Sequence, residues 1–186
     1  MGLFDLFKKK EQALNYDPTN IKISDLDLNW IVEYDLKTWV VKEVARYAWR
    51  DGGESWEYKL DSGDDQIYLN VYEDDKLYLS VSKSVKLRSL DEDLPEVIEK
   101  DMRPGKKIIY NNITYYLEEE ALGHFYDMTH EDKPKGQEVT EWTYYDESEK
   151  NLLSIAEWGS LNFSASVGVS AEEHEFSNIL PAASES

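Results

Sequence analysis

The sequence predicts an all-β protein, an internally duplicated antiparallel β meander of two repeats of about five strands each, forming a barrel or sandwich. One short connecting helix and a short N-terminal amphipathic helix complete the expectation. Three observations lead there. The chain repeats itself: VEYDLKTWVVKEVA from Val32 is answered by IIYNNITYYLEEEA from Ile108, so Tyr34, Thr38, Trp39 and Ala45 match Tyr110, Thr114, Tyr115 and Ala121. Downstream, WEYKL at Trp56 matches WTYYD at Trp142, LNVYE at Leu69 matches LSIAE at Leu153, and LYLSVS at Leu77 matches LNFSAS at Leu161. Aromatic residues make up 13% of the chain, thirteen Tyr and six Trp among them, and stand with β-branched residues in short alternating runs, a strand composition. Only one interior segment carries the start and stop signals of a helix.

Taken in order, residues 1–27 are a lead and linker. Leu3, Phe4, Leu6 and Phe7 share one side of a short helix and Lys8, Lys9 and Lys10 follow, a pattern suited to an anionic membrane surface or a partner, or to capping the barrel. Repeat 1 spans residues 28–88. Its first two strands, Trp30 to Tyr34 and Thr38 to Arg46, flank a tight turn at Asp35-Leu36, and the second copy has Asn111-Asn112 there, where Asn tolerates the left-handed backbone such hairpins need. Trp56, Tyr58 and Leu60 then alternate on one face, as do Ile67, Leu69 and Val71, and Leu77, Leu79 and Val81, with Tyr78, Ser80 and Ser82 pointing the other way.

Residues 89–105 form the connector: Pro95 suits a first helical turn after Asp93, Leu94, Val97, Ile98 and Met102 make an apolar stripe, and Pro104-Gly105 stops it. Repeat 2 spans residues 106–180, with strands near 107–110, 114–122, 138–145, 152–158 and 161–169; in the last, Leu161, Phe163, Ala165 and Val167 are read as inward and Asn162, Ser164 and Ser166 as outward. Residues 181–186 are small and polar, and read as a disordered tail. Two separate SH3-like barrels are the alternative architecture.

Composition narrows the function. Thirty-nine acidic residues against twenty basic ones give a net charge of −19, which repels nucleic acid over most of the surface. Without cysteine there is no disulfide, thiolate metal site or cysteine nucleophile. No apolar run approaches the roughly 18 residues of a membrane span, and the N-terminus lacks the order of a signal peptide. The reading is a cytoplasmic protein, with peripheral contact to the inner membrane through the lead as one option.

The motifs EYDLKTW, W-E-Y, L-x-V-x-E and IIYNNITYYLEEEALG, followed by P-x-G and EWTYYD, resemble the bacterial family catalogued as domain of unknown function 4178, over roughly Leu26 to Leu180. Asn29 departs from that pattern, as do Asp35-Leu36 and Asn111-Asn112, where the family has glycines. The resemblance brings no established activity and no catalytic residues. It implies genes for phage-shock-type membrane-stress proteins and polyamine-synthesis enzymes nearby, and hence an accessory role in envelope physiology.

Residue chemistry offers three classes of function. The first, which the resemblance favours, is a non-enzymatic interaction module with a protein partner, touching it or the membrane through Leu3 to Lys10. The second is a binder of a small organic cation such as a polyamine. The duplication sets Glu73 and Glu157 at matched strand ends near Trp56, Tyr58, Trp142, Tyr144 and Trp158; carboxylates neutralise a cation and ring faces add about 0.5–2 kcal/mol each. The plainer reading makes Trp56 and Trp142 core residues and the glutamates turn caps. The third is a metal-dependent enzyme. The span from Ala121 to Trp142 is longer than that from Ala45 to Trp56, and the extra residues, HFYDMTHEDKPKGQ, hold His124, Asp127, His130 and Glu131. Those ligand types suit zinc if the loop folds over, yet no rigid element fixes them, and a solvated loop is the simpler reading. No metal, cofactor or catalytic residue is therefore assigned. A G-x-S-x-G elbow and a glycine-rich phosphate loop are both missing.

Overall fold

The computed structural model describes residues 16–130, 134–159 and 162–182. The Leu3 to Lys10 segment, Glu131 and most of the C-terminal tail lie outside the described residues. Strands β1 (Ile31–Tyr34), β2 (Lys37–Trp49), β3 (Glu54–Asp61), β4 (Gln66–Glu73) and β5 (Leu77–Val85) follow one another as an antiparallel meander. Two helices come next, α1 (Leu87–Leu90) and α2 (Leu94–Asp101), where one was expected. A second meander follows: β6 (Lys107–Tyr110), β7 (Ile113–Asp127), β8 (Gln137–Tyr145), β9 (Asn151–Glu157) and β10 (Phe163–Ala171). An eleventh strand the sequence did not announce, β11 (Ser177–Leu180), pairs with the edge of β1.

The hairpin turns form for the expected reason. Asp35 and Leu36 have φ of 48° and 60°, Asn111 and Asn112 of 50° and 64°, the positive values that let a two-residue loop follow the twist of its strands. One turn later both long strands bulge, β2 between Val41 and Glu43 and β7 between Leu117 and Glu119. A bulge sharpens the local bend, and each strand uses it to change partner. The first half of β2 pairs with β1, whereas Ala45–Trp49 pairs with Gly123–Asp127 of β7. With β5 paired to β10, the strands β2-β3-β4-β5-β10-β9-β8-β7 close into a ring of eight, outside which β1, β11 and β6 lie. At one seam Ala48 stands opposite His124, and at the other Lys83 stands opposite Val167.

Closure brings backbones close at both seams, and each uses glycine there. A Cβ on Gly168 would lie 2.2 Å from the Val81 carbonyl oxygen, and one on Gly123 would lie 2.6 Å from that of Ala48.

The outward faces of the ring carry two cores. Val41, Val44, Tyr58, Leu60, Leu69 and Val81 of the first meander pack beneath Ile23, Leu26, Trp30 and Phe176. In the second meander Trp142, Tyr144, Leu153 and Ile155 pack beneath Leu90, Leu94 and Ile98 of the two helices. Among the described residues, no helix is long and apolar enough to cross a membrane.

Candidate functional site

Because both strand faces are covered, the alternation that sends Trp56, Tyr58, Trp142 and Tyr144 toward the outer cores sends their neighbours into the ring. There, β3 presents Glu57, β8 presents Glu141, β2 presents Tyr47 and β4 presents Tyr68 around a cavity of about 230 Å³. Serines complete the wall: Ser82 and Ser84 from β5, Ser154 from β9, Ser164 and Ser166 from β10. Ser84, Ser166 and Ser154 stand side by side on three adjacent strands, with Thr143 next in the row. Ser84 and Ser164 are exposed and mark the open side. Ser82, Ser164 and Ser166, read from the sequence as facing away from the core, therefore line the ring cavity.

The opposite wall, at the β2–β7 seam, is aromatic. Tyr47 stacks on Trp49 at 5.4 Å, and Phe125 meets Trp158 edge-on at 5.1 Å. Trp158 lines the cavity and donates its indole N–H to Ser164 at 2.7 Å. The space thus has a ring-lined side and a hydroxyl-lined side, with the two carboxylates between strands of different meanders.

Each carboxylate has one hydroxyl directed at it. The Tyr47 hydroxyl donates to Glu57 Oε1 at 3.2 Å, and the Ser154 hydroxyl donates to Glu141 Oε1. Burial first, then the charge on Glu141, push the Glu57 carboxyl up to about 7, with the Tyr47 bond opposing. Burial raises Glu141 as well, against its bond from Ser154, and Glu119 adds to the rise. Burial and the charges of Glu57 and Glu141 put the Tyr47 phenol well above its ordinary value, so it remains a neutral donor. Both glutamates are half-buried and line the cavity. Among the described residues lining it, none is cationic. Lys59, opposite Tyr68 in the ladder, pairs with Glu43 at 2.7 Å.

The residues named from the sequence for a cation site are scattered. Tyr58, Trp142 and Tyr144 are buried in the outer cores and Trp56 packs against the first of them. Glu73 is exposed at the end of β4, while Glu157 stands opposite Thr140 and Phe163. Of the seven, Trp158 alone lines the cavity.

The histidine-bearing insertion is a structural splint. Its first residues extend β7 along β2, after which Met128 N–H donates to the Val44 carbonyl at 2.8 Å and Val44 N–H donates to the Thr129 hydroxyl at 3.0 Å. His124 faces the Tyr126 ring, Asp127 accepts from the Thr129 N–H, and His130 is exposed. Among the described residues, no three His, Asp or Glu converge as a metal site. A further concavity of about 400 Å³ lies at the β1–β2 turn, and none of its lining residues is buried.

No curated protein and no solved structure matches the chain. The model of the family described as Domain of unknown function (DUF4178) matches residues 27–173, most of the chain and nearly all of both meanders. The chain belongs to that family.

Proposed function

We propose that this protein is a non-enzymatic receptor for a small organic cation, held in the ring cavity between Glu57 and Glu141. The observation that carries the reading is the pair itself: two carboxylates from different meanders share one cavity whose described lining has no positive charge. Burying like charges together is costly. A cation between them removes both the repulsion and the unmet demand for donors, and the net charge of −19 draws cations toward the protein. The volume of about 230 Å³ falls below the ~300 Å³ at which drug-sized sites begin, so the ligand is small. Calorimetry with n-butylammonium at physiological salt tests this. Saturable binding by the wild type, lost in Glu57→Gln/Glu141→Gln, is expected; heat that fades with added salt in both proteins reflects surface screening and contradicts the reading.

Two further parts belong to the proposal. The meanders are copies of one five-strand unit: equivalent turns, equivalent bulges and the facing pairs Ala48–His124 and Lys83–Val167, as a twofold axis through both seams would place them, support this. The receptor acts as a cytoplasmic accessory module in envelope physiology, with Leu3, Phe4, Leu6, Phe7 and Lys8 to Lys10 touching membrane or a protein partner; this part rests on the family resemblance and the lead's composition. Vesicle co-sedimentation and partner capture with and without residues 1–10 decide it, equal results counting against that segment.

A further inference from the structure

We infer that the cavity's ligand carries a primary ammonium group on a short apolar stem, recognised through its N–H donors rather than by ring faces around its charge. The inference rests on the cation reading and narrows it to one chemical class. It follows from what the lining hydroxyls have left to offer. A hydroxyl has one proton to give and two lone pairs to accept with. Tyr47 commits its proton to Glu57 and Ser154 commits its proton to Glu141. Toward the cavity, those two oxygens present lone pairs, as do the carboxylates. Ser166, between Ser84 and Ser154 in the ladder, continues the row of hydroxyls, and Ser164 accepts from the Trp158 indole at the rim, keeping its own proton to give.

The two carboxylates and the two committed hydroxyls together ask for a ligand that donates several hydrogen bonds, which an ammonium head does with its three N–H groups. A quaternary ammonium has the same charge and no donor; it leaves the oxygens unpaired inside the ring, a loss of roughly ten- to hundredfold in affinity at 1–3 kcal/mol per unmet group. A quaternary head is also normally held by a cage of ring faces. Here the rings of Tyr47 and Trp158 stand together on one wall, backed by Trp49 and Phe125, with the Tyr68 ring apart from them on β4 beside Ser82. That arrangement fits the apolar stem, with the charged head turned to the oxygens.

The test uses the wild-type protein, so folding of a variant does not enter. Calorimetric titrations are run with n-butylammonium, butyltrimethylammonium and n-butanol, three ligands sharing one stem. Expected is saturable binding of the primary amine, the trimethyl form weaker by roughly tenfold or more, and no binding of the alcohol. Equal affinity for the two cations overturns the inference while leaving the cation receptor standing. If neither cation binds, or the alcohol binds as well as the amine, the receptor reading fails too.

Discussion

Replacing Glu57 by Gln should stabilise the ligand-free protein at neutral and alkaline pH. Its carboxyl titrates at about 7 in the folded chain against an ordinary 4.5. A carboxyl raised by folding binds its proton more tightly in the native state than in the unfolded one. Stability is therefore highest below the ordinary value, falls as pH rises from about 4.5 to about 7, and is level beyond. At about 1.4 kcal/mol for each tenfold step in proton affinity, the full penalty above pH 7 is about 3 kcal/mol. Water entering the cavity lowers that, so about 1–3 kcal/mol is the working range. Gln copies the neutral acid's shape and still accepts from the Tyr47 hydroxyl, but it cannot ionise. For a chain of this size, each kcal/mol moves Tm by about 2–4 °C. Thermal unfolding of both proteins at pH 5, 6, 7 and 8 should give similar Tm values at pH 5 and a Gln variant higher by several degrees at pH 8. A gap independent of pH, or a wild type more stable at pH 8, refutes the reasoning. Adding n-butylammonium at pH 8 should raise the wild-type Tm and leave the variant's nearly unchanged.

Other consequences of the same structure can be checked separately. Glu141→Gln should bring the Glu57 midpoint down toward its ordinary value in a carboxyl NMR titration, because the charge on Glu141 is the second cause of its rise. Gly168→Ala puts a methyl 2.2 Å from the Val81 carbonyl oxygen at the β5–β10 seam; denaturant unfolding should record a loss of about 1–3 kcal/mol or more. Thr129→Val leaves the Val44 N–H without its hydroxyl partner in a buried position, and unfolding should record a loss of about 1–3 kcal/mol. Asp146 accepts from the Lys150 and Asn151 backbone N–H groups and the Asn151 side chain, and is held at about 2 against an ordinary 3.8. Its contribution is present above the ordinary value and lost as pH falls toward 2, so Asp146→Ala should lower Tm at pH 7 with the gap closing in acid.

Much of the fold was legible because it is local. The Asp35-Leu36 and Asn111-Asn112 turns, the Trp-x-Tyr strands and the Pro95 helix start each express a rule that acts over a few residues. What stayed hidden acts over long distances. The insertion after Ala121 looked like a loop, since nothing nearby says that residues 123–127 will run along β2, nearly eighty positions earlier. The cavity was hidden by an assumption about faces. Alternation in a strand ordinarily separates core from solvent, which puts Ser82, Ser164 and Ser166 on the surface; in a ring with cores on its outside that same face lines the cavity.

The carboxylate pair was missed for a related reason. A symmetric chain invites a symmetric pair, hence Glu73 and Glu157. The acids that share the cavity are not equivalent: Glu57 follows Trp56 and Glu141 precedes Trp142, so with the two tryptophans matched Glu57 falls on Thr143 and Glu141 on Ser55. The available signal was the tryptophans themselves. Once they are assigned to the outer cores, the residues flanking them belong to the opposite face, and both meanders place a glutamate there.

The central claim is that two half-buried carboxylates wait in the ring for a positive charge. Carbon-13 NMR titration of the Glu57 side-chain carboxyl, with and without saturating n-butylammonium, tests it most directly. The account predicts a midpoint of about 7 in the free protein and one close to the ordinary carboxyl range, about 4, when the amine is bound. A free-protein midpoint already in that range, or one near 7 that the amine leaves in place, would contradict it.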